Sequence, residues 1–256
     1  NTGATPIFLA CYKGSTEAVC LLIAHGANVN HKQFDGQTPL FVAVRNNHVR
    51  VVEVLLHAGA DLGAEVSIGT IYFLFPREDD SYDFQKQNQV NPLYVACAAG
   101  FSDIVDLLLA KGASVHTAKL GDGTTCLHVA CLRTSITVAR TLLECGADVN
   151  ARIEDPRSIM NGATPLYHAS SVGNAHVVRL LLECGADVDI LAADGSSCLD
   201  IAEHLGRTDV AQVLIEHGAS RTRSNTGAAM ARPGQDTVAL GQGVSGRMYK
   251  NFCHRR

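Results

Sequence analysis

An all-α fold built from stacked pairs of short helices is predicted by three observations on the sequence. An apolar helical pattern ends six times at a Gly-Ala pair, whose glycines are Gly26, Gly59, Gly112, Gly146, Gly185 and Gly218. Their separations of 33, 53, 34, 39 and 33 residues indicate one basic period with insertions. Each unit also opens with a similar helix-start phrase. The chain is therefore expected to be an array of like units.

The first helix of each unit is predicted from a capping residue at the head of this phrase. The capping residues are Thr5, Thr38, Asn91, Thr125, Thr164 and Ser197. Such side chains accept hydrogen bonds from free amides at a helix start. Pro follows four of them, and at the first helical position its missing N–H costs no hydrogen bond within the helix. The first helix is therefore expected to begin at the residue after each cap.

A second helix is predicted about ten residues later in each unit. Apolar runs such as 51–56 and 177–182 supply its buried face, and the glycine of the Gly-Ala pair can end it in a left-handed conformation. Two short helices and a turn thus make one unit. The predicted units are about 3–29, 30–62, 89–115, 123–149, 162–188 and 195–221, and together they form an array over 1–221.

The opening phrase resembles the signature T-P-L-H-x-A of the ankyrin repeat family, whose period is 33 residues. It is Thr38-Pro39-Leu40-Phe41-Val42-Ala43 in the second unit and Thr125-Cys126-Leu127-His128-Val129-Ala130 in the fourth. The family's histidine is kept only at His128, so its hydrogen bond between repeats is expected there alone. The resemblance covers roughly residues 3–220. It implies hairpin loops, or fingers, after each Gly-Ala pair, and a concave face lined by the first helices.

Two fingers are too long for the basic period, with insertions at 63–88 and 151–161. Insertions in repeat proteins collect on one face, so both are expected on the finger side. The first insertion holds three neighbouring aromatic residues, Tyr72, Phe73 and Phe75, beside the acidic pair Asp79 and Asp80. Two interpretations remain open. The aromatic residues contact a partner, or they fold back on the array as a hydrophobic strap.

Composition narrows the class of protein further. The chain has 256 residues and lacks an apolar run of about 18, so no membrane span is expected. Its nine cysteines fall largely in phase with the repeats, which favours small buried thiols in a reducing compartment, the cytoplasm or the nucleus. Ile7, Leu9 and Leu22 give the first unit an interior-like pattern. We therefore expect either a fragment or a first repeat covered by another molecule.

Charge divides unevenly along the chain. The formal net charge is −4. Residues 221–256 carry seven Lys and Arg against Asp236, about +6, which leaves the repeats near −10. We therefore expect a partner with a basic stretch. Residues 222–256 form a basic tail rich in Gly, Ser and Arg; it could dock on the acidic array itself, or bind an anionic membrane or, less favoured, nucleic acid.

Motifs that could carry chemistry are weak. Cys126, His128 and Cys131 lack a fourth metal ligand at a recognised spacing, so packing is favoured over a metal site. The segment 241–246 matches G-x-G-x-x-G, but only ten residues follow it, too few for a dinucleotide-binding unit. His25, His57 and His217 end second helices, where they can cap free carbonyls. No catalytic, cofactor or metal site is predicted, and an enzyme is the least favoured class.

The favoured function is a non-enzymatic scaffold that binds a protein or peptide in its concave groove. An adaptor that brings a client to a larger assembly, such as a ubiquitin ligase, is the alternative within this class. Beyond the insertion, the resemblance implies partner contacts at Tyr12, Lys13, Phe34, Asp35, Gln37, Arg45, Asn46, Leu120, Asp122, Leu132, Arg133, Ile153 and Asp194.

Four of these residues, Phe34, Leu120, Leu132 and Ile153, are expected to be exposed apolar contacts. Two finger asparagines, Asn30 and Asn150, have a different implied role. In proteins that look like this one, such residues can be β-hydroxylated by an asparaginyl hydroxylase. The favoured interpretation is structural, with each asparagine bonding its own backbone in a turn.

Overall fold

A computed structural model describes residues 4–67, 89–116, 120–156, 158 and 160–221, and in these parts the chain forms twelve helices and one two-stranded ribbon. The helices are α1 (Pro6–Lys13), α2 (Thr16–Ala24), α3 (Pro39–Arg45), α4 (Val49–His57), α5 (Pro92–Ala99), α6 (Ser102–Ala110), α7 (Cys126–Leu132), α8 (Ile136–Glu144), α9 (Pro165–Val172), α10 (Ala175–Glu183), α11 (Cys198–His204) and α12 (Thr208–Glu216). The strands β1 (Val66–Ser67) and β2 (Gln89–Val90) pair antiparallel. The predicted all-α fold is confirmed.

The helices stack in two layers. The odd-numbered helices pack on one another in chain order and form what we call the inner layer, while the even-numbered helices form the outer layer. One continuous apolar core runs between the layers and includes the fully buried Phe41, Leu93, Leu127 and Leu166. Each repeat thus depends on its neighbours for burial. Within the described residues, no helix combines the length and apolar character needed to cross a membrane.

The predicted capping residues hold the start of every inner-layer helix. In each case the side chain of the cap accepts a hydrogen bond from the amide three residues later. Asn91 does this as well as threonine, with its Oδ1 atom 2.9 Å from the amide nitrogen of Tyr94. The sequence phrase therefore marks where each repeat begins.

The ends of the outer helices are also as predicted. The Nδ1 atoms of His25, His57 and His217 each lie 2.8 Å from the carbonyl oxygen four residues earlier. The Leu21 and Val213 carbonyl oxygens also accept backbone amides, so the imidazoles of His25 and His217 add a second partner at the helix end. Their positions are therefore explained by capping.

The cysteine prediction is only partly correct. Cys11, Cys97, Cys126, Cys131 and Cys198 are buried, but Cys20, Cys145 and Cys184 are exposed because they lie on or at the ends of outer helices. Burial raises the pKa of Cys11 and of Cys198 to about 12 and also raises that of Cys131. These three thiols are therefore uncharged packing groups.

Candidate functional site

Five fingers connect successive repeats, and all of them close with the same backbone pair. We number them as finger 1 (residues 28–37), finger 2 (61–90), finger 3 (114–124), finger 4 (148–163) and finger 5 (187–196). In fingers 1, 3, 4 and 5 an amide within the finger donates to the carbonyl of the residue just before the next helix cap. We call these two residues the first and second closing residues of the finger. The closing pairs are Gln33 with Gln37, Leu120 with Thr124, Ile153 with Ala163 and Ala192 with Ser196. In finger 2 the strand pair Val66 and Val90 occupies this place.

Most of the second insertion lies beyond the closing pair of finger 4, at the finger tip. Finger 1 has three residues between its closing residues, where finger 4 has 154–162. This agrees with the prediction that the second insertion lies on the finger side, whereas most of the first insertion falls outside the described residues. Tyr72, Phe73, Phe75, Asp79 and Asp80 fall outside the described residues. Whether they form a strap or an interface stays a prediction.

The four apolar residues predicted to be exposed differ in burial. The side chain of Phe34 is 84% exposed and Leu132 is half-buried. The prediction was wrong for Leu120 and Ile153, which are 7% and 4% exposed. Each is the first residue of a closing pair, whose side chain points into the core, as that of Val66 also does. The equivalent positions of fingers 2 and 5 hold the apolar residues Val66 and Ala192, and this shared apolar character was the sequence signal for the burial.

The acidic residues at three finger tips shape their own turns. Oδ1 of Asp35, of Asp122 and of Asp194 each accept a hydrogen bond, 2.9 to 3.0 Å long, from the amide two residues later. Such turns hold the finger tip in one conformation. The second carboxylate oxygen of Asp35 accepts from the Nε2 atom of Gln37 at 2.6 Å.

Gln37 was predicted to face a partner, but it is only 5% exposed. It is buried because it closes finger 1 and because its Oε1 atom accepts from Nη1 of Arg45 at 2.9 Å. A chain of hydrogen bonds therefore runs from the tip of finger 1 through Gln37 to the end of α3. Arg45 and Asp35 remain accessible at its two ends.

Fingers 3, 4 and 5 are joined by backbone hydrogen bonds. The amide of Glu154 donates to the carbonyl of Asp122 at 2.8 Å, and the amide of Ala193 donates to the carbonyl of Asn161 at 2.9 Å. A Cβ atom added to Gly123 would lie 2.9 Å from the Arg152 carbonyl oxygen, so glycine permits this approach. Arg152, which sequence reasoning did not single out, donates to the Leu191 carbonyl at 3.0 Å. These three fingers form one continuous surface.

The carboxyl ends of the inner helices supply the other side of the site. Tyr12 is 46% exposed, with Nζ of Lys13 5.6 Å from its ring centroid. Its carbonyl oxygen accepts from Nδ2 of Asn46 at 3.2 Å and lies 3.1 Å from Nε2 of His48. Arg133 is half-buried beside Tyr94, and burial lowers the pKa of its guanidinium. We call these helix ends and the described residues of the five fingers together the groove surface.

Asn30 and Asn150 bridge consecutive repeats. Oδ1 of Asn30 accepts from the amide of Asp61 at 2.8 Å, and its Nδ2 donates to the Gly59 carbonyl at 3.1 Å. Asn150 makes the same two bonds to Asp187 and Gly185, at 2.9 and 3.4 Å. The favoured interpretation, that these side chains bond their own backbone, was therefore wrong. Their hydroxylation stays a prediction.

The interface between the fourth and fifth repeats contains two buried histidines. Nε2 of His128 lies 3.2 Å from the carbonyl oxygen of Ala163 in the next repeat, as the resemblance implied. His168 packs edge to face against it, and neither ring nitrogen of His168 has a hydrogen-bond partner within the described residues. His168 occupies a position that holds Val42, Val95 and Val129 in other repeats. Sequence reasoning missed it, although this exchange of an apolar residue for a histidine was visible.

The cysteine and histidine side chains considered for a metal site are residues of the core. Cys126, His128 and Cys131 are each buried in the core. The two ring nitrogens of His128 lie within hydrogen-bond distance of the Thr125 hydroxyl and the Ala163 carbonyl oxygen. Over the described ranges, no three His, Cys, Asp or Glu side chains converge in a way that could hold a metal ion.

Comparison with known proteins agrees with this architecture. A family model described as ankyrin repeats in three copies matches residues 1–66, 64–153 and 149–225. The chain belongs to the ankyrin repeat family. Domains of this family are general protein–protein interaction modules, typically without enzymatic activity, and no catalytic family is indicated.

Two relatives that match this chain are much longer than it is. It is 32% identical over 144 residues to the ankyrin repeat and KH domain-containing protein mask-1 of Caenorhabditis elegans, a match covering 56% of this chain and 5% of that protein. It is 29% identical over 173 residues to Rabankyrin-5 of Mus musculus, covering 67% of this chain and 13% of the relative. The chain therefore spans only a small part of either relative.

Two solved structures show the same fold. The ankyrin repeat domain of Bcl-3 is 29% identical, with a TM-score of 0.68, over 86% of this chain and 89% of that one. An ankyrin repeat domain from Acinetobacter baumannii is 25% identical, with a TM-score of 0.69, over 84% and 98% of the two chains.

Proposed function

We propose that this chain is a non-enzymatic recognition module that holds a protein segment carrying basic residues against its groove surface. The observation that carries the proposal is the position of the acidic side chains. Nine carboxylates of the described finger residues are exposed or half-exposed: Asp35, Asp61, Glu65, Asp122, Asp148, Glu154, Asp187, Asp189 and Asp194. The cationic side chains of the same residues are Lys32 and Arg152.

This distribution places the negative potential on the fingers. The inner helices and their caps carry Lys13, Arg45 and Arg133 against Asp200 and Glu203, so their charges nearly balance. A basic segment would be attracted to the finger tips before it makes close contacts, which raises its association rate. Close contact then falls to exposed aromatic residues such as Phe34 and Tyr12, which bury large areas. Charge thus selects the segment and the aromatic residues hold it.

A photo-crosslinking phenylalanine derivative at position 34 would identify the partner in cell extract. The same derivative at Ile215, which is 49% exposed on the outer helix α12, is the matched control. We expect a discrete crosslinked partner from position 34 and none from position 215. Products that form equally at both positions would contradict binding at the groove surface.

Charge variants then test how the partner is recognised. Asp35→Asn, Asp122→Asn and Asp194→Asn together remove three charges but keep the Oδ1 acceptor of each turn. Asp106→Asn, Glu144→Gln and Glu183→Gln change the net charge equally on outer helices, where all three residues are exposed. We expect the finger variant to lower the association rate several-fold and to weaken its salt dependence. An equal effect of both triple variants would mean that only net charge matters.

In the adaptor interpretation, the module also brings its partner to a larger assembly. The identity of the crosslinked protein and of anything that co-purifies with it would decide between a stand-alone scaffold and an adaptor. A ubiquitin ligase subunit among these proteins would favour the adaptor.

A further inference from the structure

Arg45, at the end of α3, is held in place by a neutral side chain. Its Nη1 atom donates to Oε1 of Gln37 at 2.9 Å, and Nε2 of Gln37 donates to Oδ2 of Asp35 at 2.6 Å. Because a carboxylate only accepts, Gln37 must turn its amide nitrogen to Asp35 and its oxygen to Arg45. Within the described residues, Nε and Nη2 of Arg45 have no polar partner. This guanidinium is therefore positioned but not neutralised.

The end of α1 lies beside Arg45 and adds a second cation. The carbonyl oxygen of Tyr12 accepts from Nδ2 of Asn46, the residue after Arg45, and this bond ties the carboxyl ends of α1 and α3 together. Lys13 is exposed, with its Nζ atom 5.6 Å from the ring centroid of Tyr12. Neither α1 nor α3 contains Asp or Glu. Two cations from neighbouring repeats thus lie on the same side of the groove surface.

The balance of charge changes along the groove surface. Fingers 3 to 5 hold six of the nine exposed or half-exposed finger carboxylates, against the single cation Arg152. The other three carboxylates lie in fingers 1 and 2, where Lys13, Lys32 and Arg45 match them in number. A segment with basic residues alone is therefore attracted to one half of the groove surface and not to the other.

We propose that Arg45 and Lys13 form an anion subsite that takes a carboxylate side chain of the bound segment. The inference rests on the proposed function, because the same segment places its basic residues on fingers 3 to 5. The Nε and Nη2 edge of a guanidinium can donate to both oxygens of one carboxylate. Tyr12, which is 46% exposed, offers apolar contact area beside this edge.

The helix ends favour a carboxylate over a phosphate at the anion subsite. The subsite lies at the carboxyl ends of α1 and α3, where carbonyl groups give a partial negative charge. A phosphate monoester, with a charge of about −2 at neutral pH, is repelled by these ends more strongly than the single charge of Glu or Asp. Phosphate groups are better stabilised at the amino ends of helices. We therefore assign the occupant as Glu or Asp.

The distance from Arg45 to finger 3 sets a spacing within the segment. Arg45 belongs to the second repeat, and finger 3 leads into α7 of the fourth. Packed helices lie roughly 8–10 Å apart, so two repeats correspond to about 20 Å. An extended chain covers that distance with about six residues at roughly 3.3 Å each. The acidic residue is therefore expected about six positions from the first of a run of basic residues.

A double-mutant cycle between peptide and protein tests the anion subsite. The probe is a fluorescent peptide with one Glu, six Gly and Ser residues and then Arg at alternate positions, made in both chain directions. A second peptide has Gln in place of Glu. By fluorescence anisotropy at about 100 mM salt, we expect wild type to prefer the Glu peptide, in its better direction, about five- to tenfold. The preference should fall below about twofold in Arg45→Gln. An equal preference in both proteins, or none in wild type, would overturn the proposal.

Two more variants separate the guanidinium from net charge and from folding. Arg50→Gln removes the same charge on the outer helix α4, where Arg50 pairs with Glu53 at 3.2 Å, and should keep the preference for Glu. Arg45→Lys keeps the charge but not the two-nitrogen edge, so it should lose most of the preference even if Arg45→Gln folds poorly. A loss in Arg50→Gln equal to that in Arg45→Gln, or full preference in Arg45→Lys, would overturn the proposal.

The remaining outcomes distinguish this inference from the proposed function. A phosphoserine peptide that binds tenfold more tightly than the Glu peptide, and loses this gain in Arg45→Gln, would overturn the assignment to a carboxylate. If Asp122→Asn with Asp194→Asn weakens both the Glu and the Gln peptides while Arg45→Gln treats them as wild type does, the anion subsite fails and the proposed function stands. If neither peptide binds to wild type, both fail.

Discussion

His128 and His168 meet edge to face inside the interface between the fourth and fifth repeats, with ring centroids 5.3 Å apart. Burial lowers the pKa of His128 from 6.5 to about 4 and that of His168 to about 3, and the proximity of His128 contributes to the second shift. Both imidazoles are therefore neutral at physiological pH, and this interface tolerates them only in that form.

The histidine pair makes stability depend on pH in a defined direction. The unfolded chain binds protons on both imidazoles near pH 6.5, whereas the folded chain does so only near pH 4 and 3. Stability is therefore full above about pH 6.5. It falls below that pH, by up to about 1.4 kcal/mol per pH unit for each histidine, until the folded imidazoles titrate.

His168→Val tests this, since valine occupies the position in three other repeats. Chemical unfolding at pH 7.5, 6 and 5 should show a shallower loss of stability in the variant. The variant should also have an unfolding free energy about 1 kcal/mol higher than that of the wild type at neutral pH. The reason is that valine removes the buried ring nitrogens that lack a hydrogen-bond partner. His176→Val on α10 is a control with little expected effect. Identical pH profiles for wild type and His168→Val would contradict the assignment.

The asparagine bridges should contribute to the stacking of repeats. Asn30→Ala and Asn150→Ala each remove two hydrogen bonds to the next repeat, and we expect each to lower the unfolding free energy by about 1 to 2 kcal/mol. His116→Ala, at the same position of finger 3, should have a smaller effect. Unfolding curves in urea would measure this, and three equal losses would argue against a bridging role.

Thr134 is held in a strained backbone conformation. Its φ is 59°, at a turn position that four other repeats fill with glycine, including Gly14 and Gly173. A β-branched residue is disfavoured in this left-handed region. We expect Thr134→Gly to raise the unfolding free energy by about 1 kcal/mol. Thr137→Gly, inside α8, should lower it by a similar amount, and a loss of stability in both variants would contradict the prediction.

Shortening finger 2 separates the two roles predicted for its insertion. Residues 67–89 can be replaced by the tip of finger 1, Phe34-Asp35-Gly36, because Val66 and Val90 close finger 2 as Gln33 and Gln37 close finger 1. If the insertion is an interface, stability should change by less than about 1 kcal/mol while the crosslinked partner is lost. A large loss of stability with the partner retained would favour the strap.

The basic tail is expected to compete for the fingers. Arg221, the last described residue, pairs through two nitrogens with Glu203 of the inner helix α11, so the described part of the chain ends beside the inner layer. Deleting them should tighten the binding of a nona-arginine peptide several-fold at about 50 mM salt. The difference should vanish near 0.5 M, where such charges are screened. Unchanged affinity at low salt would count against intramolecular docking.

The period, the helix caps and the finger positions could all be read from the sequence because each is local. Thr38 caps α3 through an amide three residues away, and Gly146 turns the chain with φ of 84°. Such signals need no knowledge of distant residues. The fold was therefore predictable almost element by element.

Residue burial within the fingers was harder to predict. Leu120 and Ile153 are buried because a backbone pair turns their side chains inward, and the sequence signalled this only through the apolar Val66 and Ala192 at the equivalent positions of other fingers. The bridges of Asn30 and Asn150 depend on how one repeat stacks on the next. They are tertiary contacts, so the phase of the repeats alone did not reveal them.

The shared closing pair has a consequence for how such a chain can diversify. Because each finger is sealed at its base, the free energy of the array depends only weakly on how many residues lie beyond the seal. Evolution, or a protein engineer, could graft loops of new length and chemistry there while leaving the helical body untouched. Affinity for new targets and thermal robustness would then be nearly independent traits in this molecule.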